Sequence, residues 1–225
     1  MIVTGKEPSA KPVVDIVISD RLHPLVQATS RWGESRPDLS VRIRTDIADL
    51  GGGFCLVLVA CHKIVGIDTL SRYERSFVTH ASDLPWGRGW SPAVWSVLLG
   101  RPELVMSLLE PAHPVDSGRI YSKFSVPLDK SDVADDISAK LEVLTVRCLD
   151  LAVSERLPEP VEQVGDPGWL RRRTREDSRL DPDQTIRDQF DILRVSDPVR
   201  YPAFFELHGQ RFELILRKAG SHHGG

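Results

Sequence analysis

The chain has 225 residues, 41% hydrophobic and 27% charged, the balance of an ordinary globular protein. Its net charge of -3 gives no electrostatic reason to expect nucleic acid or an anionic membrane as partner, and no apolar run approaches the ~18 residues needed to span a bilayer. Cys55, Cys61 and Cys148 lack CxxC spacing, which argues against a disulfide framework or a zinc site and for a reducing cytoplasm.

Val13 to Ile18 is a β-branched run stopping at Ser19-Asp20, which predicts a buried strand opening an α/β domain. Leu22 to Trp32 has helical spacing and gives way to breakers from Gly33 to Pro37. Val41 to Thr45 alternates as a second strand. Phe54 to Ala60, entered through the flexible turn Gly51-Gly52-Gly53, is a fully apolar third. Ser76 to His80 reads as a fourth strand. Ser91-Pro92 marks a helix start, with serine as N-cap and proline at the first helical position, and Gly100 closes that helix. Leu104 to Leu109 is a further strand, and Arg119 to Val126 follows it after the turn Asp116-Ser117-Gly118. Ser131 is expected to cap a long helix with Asp132, Asp135 and Asp136 in its first turn. Along that helix Val133, Ile137, Leu141, Leu144, Cys148 and Leu151 step by three or four, which gives one face to the sheet.

Strands alternating with helices predict an α/β fold with an open, twisted, mostly parallel sheet covered on both faces. Ligands of such sheets sit at the carboxyl ends of the strands, where His80 falls. After Leu157 the composition changes: Pro158, Pro160, Gly165, Pro167 and Gly168 read as a linker, and Arg171 to Arg175 is a basic cluster. Thr185 to Leu193 has the pattern of a short amphipathic helix. Phe204 to Leu207 and Arg211 to Leu216 form a hairpin around His208-Gly209. The expected organisation is a main domain over 1–157, a small C-terminal lobe with helix and hairpin over 158–219, and a disordered tail over 220–225.

Two segments could carry chemistry. His80 ends a strand ahead of a glycine-rich turn and a helix start, a sound place for catalysis, although a single histidine there serves structure as often. Asp116-Ser117-Gly118 taken alone is a common turn between strands. Together they resemble the 10-formyltetrahydrofolate-dependent formyltransferases, the family of the tRNA, glycinamide-ribonucleotide and sugar N-formyltransferases. In that family a histidine lies two residues before a serine and five before a proline, ahead of a glycine-containing turn. His80, Ser82, Pro85 and Gly89 match, and Asp116-Ser117-Gly118 matches the family's Asp-Thr/Ser-Gly motif. Arg173-Thr174, Asp177-Ser178, Asp181, the run Gln189 to Arg194, and Tyr201-Pro202-Ala203-Phe204-Phe205 resemble the C-terminal part of the nucleotide-sugar N-formyltransferases. The resemblance covers Val13 to Leu216 and is strongest from His80 to Gly118 and from Arg172 to Phe205.

The resemblance implies a Rossmann-like formyltransferase fold and an enzyme that takes the formyl group of 10-formyltetrahydrofolate, its cosubstrate, to the amine of a nucleotide-linked sugar of the dTDP-4-amino-4,6-dideoxyhexose type. Such a product belongs to a surface glycan, and no metal is needed. By the same resemblance His80 and Asp116 are catalytic, one facing the formyl oxygen and the other orienting it or accepting a proton. Lys63, Ile64, Val65, Ser82 and Val115 would line the folate. Tyr201, Phe204 and Phe205 would supply stacking for the acceptor, Trp86 and Trp90 would wall its pocket, and Arg172, Arg173 and Arg194 would hold its diphosphate. Structural roles compete here: Phe204 and Phe205 alternate on a strand, so at least one belongs to the core, and an arginine cluster also suits a solvated face. Trp95 is expected in the core. A homodimer through C-terminal strands is implied as well.

One position departs from the family pattern. Where the family carries an asparagine two residues before the histidine, this chain has Val78, which cannot donate to a formyl oxygen. Either another group substitutes, Ser82 being the better placed, or the chain is a folate- or nucleotide-sugar-binding module. A small amine of a siderophore precursor is an alternative acceptor, whereas a tRNA acceptor would call for a basic RNA-binding domain.

Overall fold

The computed structural model describes residues 10–219, so the expected tail lies outside the described residues. Strands β1 (Val13–Val17), β2 (Ser40–Arg44), β3 (Gly53–Val59) and β4 (Tyr73–His80) pair in parallel, with α1 (Leu25–Glu34) and the short α2 (Ile67–Leu70) in their crossovers. A two-residue strand β5 (Arg88–Gly89) and helix α3 (Pro92–Leu98) lead into β6 (Glu103–Leu109) and β7 (Ile120–Pro127). The sheet order is β2-β1-β3-β4-β6-β7, and β6 runs antiparallel to both its neighbours. The sheet is thus parallel as far as β4 and antiparallel beyond it. Helix α4 (Ala134–Ala152) returns across one face. The remainder holds β8 (Trp169–Leu170), parallel to β5, then α5 (Phe190–Arg194) and the antiparallel hairpin of β9 (Ala203–Leu207) and β10 (Gln210–Leu214).

β3 is apolar throughout because both of its faces are covered. Cys55 and Val57 join Val14, Ile16 and Phe77 under Trp32 of α1 and Leu144, Cys148 and Leu149 of α4. Leu56 and Leu58 face the other way, with Val17, Leu50 and Tyr73. Each such side chain contributes roughly 1.5–3 kcal/mol by leaving water, and the sum fixes the sheet that carries the site. A third cluster, Leu84, Leu109 and Ile120, lies beside the antiparallel half.

Three expected helix boundaries shift for local reasons. α1 begins at Leu25 and not at Leu22, because the residue before Pro24 is disfavoured in helical conformation. Ser131 does not cap α4; its hydroxyl donates to Asp129 Oδ1 at 2.6 Å, and the Asp136 carboxylate accepts the Val133 N–H at 2.9 Å where the helix starts. Thr185 to Gln189 is not helical: the Thr185 hydroxyl donates to Asp188, and the Gln189 amide accepts from the Asp181 N–H and donates to the Asp181 carbonyl, holding a loop that leaves only Phe190–Arg194 as helix. The expected linker is stitched down, since Val161 exchanges backbone hydrogen bonds with Ile120 at 2.8 and 2.9 Å.

Candidate active site

Alternation along β4 puts Val78 and His80 on one face and Thr79 on the other. His80, 7% exposed, closes the strand with Nε2 at 2.8 Å from the Gly87 carbonyl oxygen and Nδ1 at 3.3 Å from Asp116 Oδ1. The other Asp116 oxygen accepts the Gly89 N–H at 3.0 Å. Both ring nitrogens therefore face oxygen acceptors. A neutral imidazole carries one N–H and satisfies one of them; the imidazolium satisfies both.

Asp116 comes from the loop between β6 and β7, and its backbone is left-handed (φ 58°), a conformation Asp tolerates better than most residues. Ser117 ties that turn by donating to the Pro114 carbonyl at 2.6 Å. Gly118 lies so close to the neighbouring chain that a Cβ would meet the Glu110 carbonyl oxygen at 1.9 Å. Gly89 is equally constrained, with φ 102° and the Leu170 carbonyl oxygen 2.5 Å from where a Cβ would stand. The motif residues thus each meet a steric or hydrogen-bonding demand of one compact arrangement.

Apolar side chains lie beside the pair. Val78 packs against two separate clusters, one containing Leu58 and Val65 and the other Leu84, Leu109 and Ile120. Ile64, 73% exposed, and the exposed Val115 flank it in sequence on the loops after β3 and β6. Lys63 is exposed and donates to Asp46 at 2.7 Å. Ser82 does not share this exposure. It is 1% exposed, its hydroxyl has no hydrogen-bond partner, and its Cβ lies 2.9 Å from where a Gly87 Cβ would stand. Ser82 supports the site by its backbone, its N–H donating to the His80 carbonyl and its carbonyl accepting from Ser107. In this arrangement the Ser82 hydroxyl is closed off from solvent.

The expected acceptor residues divide. Trp90, 36% exposed, carries the Arg172 guanidinium over its ring at 4.8 Å and has the His62 ring at 5.1 Å. Trp86 is half-buried between the Arg101 guanidinium and Gly168. Arg173 is buried, donates to the Ser178 hydroxyl at 2.7 Å and lies over the Tyr201 ring. Arg194 is buried and bound to Asp191 and the Asp129 carbonyl. Phe204 is fully buried, and Phe205 stacks on Phe212 within the hairpin. These four side chains hold the C-terminal segment together, so the expected phosphate and stacking roles of Arg173, Arg194, Phe204 and Phe205 are not met by their placement. Trp95, expected in the core, is half-buried, donating to the Arg171 carbonyl and covered by the Arg171 guanidinium.

Residues the sequence did not single out complete the region. His62, after β3, is held below its ordinary range first by burial and then by the Arg172 charge. His23, after β1, is lowered to about 4, first by burial and then by Arg200. Arg200 in turn pairs with Asp197 and approaches Asp20. Gln163 bridges the two loops that hold His80. None of these sits in a motif; His23 and His62 follow strand ends, the one signal that could have marked them, and Gln163 has none. Among the described residues no group of three His, Cys, Asp or Glu could hold a metal ion, and no helix is long and apolar enough to cross a membrane. Burial pushes the Cys55 and Cys148 thiols up to about 12.

No protein-family model matches the chain. A methionyl-tRNA formyltransferase of Lactobacillus acidophilus is 27% identical over 143 residues, 60% of this chain and 44% of the relative, so the chain spans less than half the length of that protein. Among solved structures, a methionyl-tRNA formyltransferase from Clostridium thermocellum superposes with a TM-score of 0.77 at 19% identity, covering 93% of this chain and 94% of that one. HypX from Aquifex aeolicus in complex with tetrahydrofolic acid gives 0.73 at 15% identity over 92% of this chain and 38% of that one. A sugar N-formyltransferase from Shewanella gives 0.64 at 17% identity over 91% of this chain and 96% of that one. These structures share the fold described above.

Proposed function

We propose that this chain, a member of the formyltransferase family by fold, transfers the formyl group of 10-formyltetrahydrofolate to the amine of a nucleotide-linked amino sugar. The observation that carries the reading is the His80–Asp116 contact at 3.3 Å, at the strand end where Val78 packs among apolar neighbours. In the reaction the acceptor nitrogen attacks the formyl carbon, a C–N bond forms, and charge develops on the formyl oxygen. The bond to the folate nitrogen then breaks, that nitrogen takes a proton, and tetrahydrofolate leaves. Asp116 is placed to take the proton from the attacking amine, directly or through water. His80, held between Gly87 and Asp116, orients that carboxylate. Lys63, Ile64, Val65 and Val115 border the folate.

A sugar nucleotide fits the acceptor side because Trp90 offers a partly exposed ring and Arg172, above it, makes no ion pair among the described residues. Methionyl-tRNA is the competing acceptor, given the relatives above. A polyanion needs many free cations, and in the basic cluster Arg171 is paired with Asp177 while Arg173 is buried. A second reading has its own observation: Val78 puts an aliphatic group on the His80 face, and a chain without an oxyanion donor there would bind folate without turning it over. Incubating the protein with 10-formyltetrahydrofolate and, separately, dTDP- and UDP-linked amino sugars and methionyl-tRNA tests all three. Tetrahydrofolate release with a formylated sugar in the mass spectrum is expected. Formylation of methionyl-tRNA alone would replace the acceptor, and folate binding without release would leave a binding module.

A further inference from the structure

The two partners of His80 belong to different loops, and one side chain joins those loops. Gln163 Nε2 donates to the Asp116 carbonyl and to the Gly118 carbonyl, both at 2.8 Å. Its Oε1 accepts from Arg88 Nε at 3.1 Å and Nη2 at 2.7 Å. Arg88 lies between Gly87, whose carbonyl holds His80 Nε2, and Gly89, whose N–H holds Asp116 Oδ2. Both amide N–H groups and the amide oxygen are committed: the bonds end on Asp116 itself, on Gly118 two residues beyond it, and on Arg88, which adjoins both Gly87 and Gly89. The Asp116 backbone is left-handed (φ 58°), and the Gln163 amide holds its carbonyl.

We propose that Gln163 is a positioning residue: from outside the reacting centre it sets the separation of the His80 ring and the Asp116 carboxylate by clamping the loop after β4 to the loop after β6. The consequence for turnover rests on the formyl-transfer reading; the consequence for the histidine does not. Glutamate cannot replace it, since a carboxylate would keep Arg88 but turn oxygen toward two carbonyls. Methionine keeps the length and removes every hydrogen bond.

The test combines Gln163→Met and Gln163→Glu with two readouts. Thermal unfolding and circular dichroism report folding, and an NMR titration of the His80 ring carbons reports its environment whether or not any substrate is known. Both variants are expected to fold, with the His80 titration midpoint displaced from that of the parent. Where turnover is measurable, kcat is expected to fall roughly 10- to 100-fold with KM for the folate little changed, the scale of a small misplacement at a reacting pair. Folded variants with an unaltered His80 titration overturn the proposal. So does failure of both to fold, which would make Gln163 a folding residue. A parent with no formyl transfer but a displaced titration in the variants sinks the functional reading and leaves the positioning role standing.

Discussion

The Asp116 carboxylate reaches His80 with one oxygen, 3.3 Å from Nδ1, while its other oxygen is held by the Gly89 N–H at 3.0 Å, so it is fixed at both ends before any substrate arrives. Replacing Asp116 by asparagine keeps the shape and removes the carboxylate that faces the His80 ring. Replacing His80 by asparagine removes the ring that spans Gly87 and Asp116. Each is expected to lower kcat about 10²- to 10⁴-fold, the usual contribution of a positioned acid–base group, with circular dichroism unchanged. Full turnover in either folded variant, followed as tetrahydrofolate release, would remove the pair from the chemistry.

Gly118 tests whether the turn beneath Asp116 is as tight as its geometry requires. A methyl group there would stand 1.9 Å from the Glu110 carbonyl oxygen, and that oxygen is backbone and cannot swing aside as a side chain would. Gly118→Ala is expected to destabilise the fold by about 1–3 kcal/mol and to disturb Asp116 more than that figure suggests, because the added atom pushes on the loop that carries it. Urea denaturation measures the first effect, and the second appears as lost turnover at temperatures where the variant is still folded.

Val78 is two residues before His80 on the same face of β4 and packs against apolar neighbours on both sides. Val78→Asn would put an amide donor beside the reacting centre. A donor to a developing oxyanion is worth about 10²–10³ in rate, so a gain of tenfold or more in kcat is expected after the loss from poorer packing. Single-turnover formyl transfer measures it. A slower variant with intact folate binding would mean that this chain already supplies the charge stabilisation from elsewhere.

Hydropathy made the strands of the sheet legible because burial on both faces of β3, or alternation on β2, leaves a local pattern in the residues themselves. The site motif was legible for the same kind of reason: Asp116, Ser117 and Gly118 each answer a steric demand within a few residues. Arg194 and Phe204 were read as ligand contacts because composition cannot say whether a guanidinium or a ring faces outward; in the fold one reaches Asp129 and the other is fully buried. Gln163 left no signal, since its partners Arg88, Asp116 and Gly118 are joined to it only by the tertiary path of a segment that reads as a linker. The antiparallel course of β6 was equally hidden, because a strand's direction depends on the connection before it and not on its own residues.

Asp15 stands at the centre of β1 with 0% exposure, gripped by Arg42 at 2.9 and 2.5 Å and by the Tyr73 hydroxyl at 2.6 Å. Burial and then the hydrogen bond to Asp15 push the Tyr73 phenol up to about 12. Arg42→Ala leaves the buried Asp15 carboxylate with only Arg44, at 3.3 Å, and the Tyr73 hydroxyl, and is expected to cost about 1–3 kcal/mol in urea denaturation. A loss below about 1 kcal/mol, the scale of a surface pair, would mean that water reaches Asp15 in solution.

His23 gives the chain a pH dependence of predictable sign. Its Nδ1 accepts the Leu25 N–H at 3.2 Å, which needs the neutral ring, and burial followed by the Arg200 charge lowers it from 6.5 to about 4. Between those values the unfolded chain takes up a proton that the folded chain refuses. Stability from this group is therefore complete above 6.5 and declines as the pH falls toward 4. His62, lowered in the same direction by burial and Arg172, adds to the slope. Between about pH 7 and about pH 5, above the range in which Asp177 and Asp197 lose their own contributions, His23 should cost the fold on the order of 2 kcal/mol. In His23→Gln the unfolded state no longer gains that proton, so its unfolding free energy should fall less over the same interval than that of the parent. Parallel declines in the two proteins, measured by urea denaturation at both pH values, would mean that the His23 ring titrates in the folded state as it does in water.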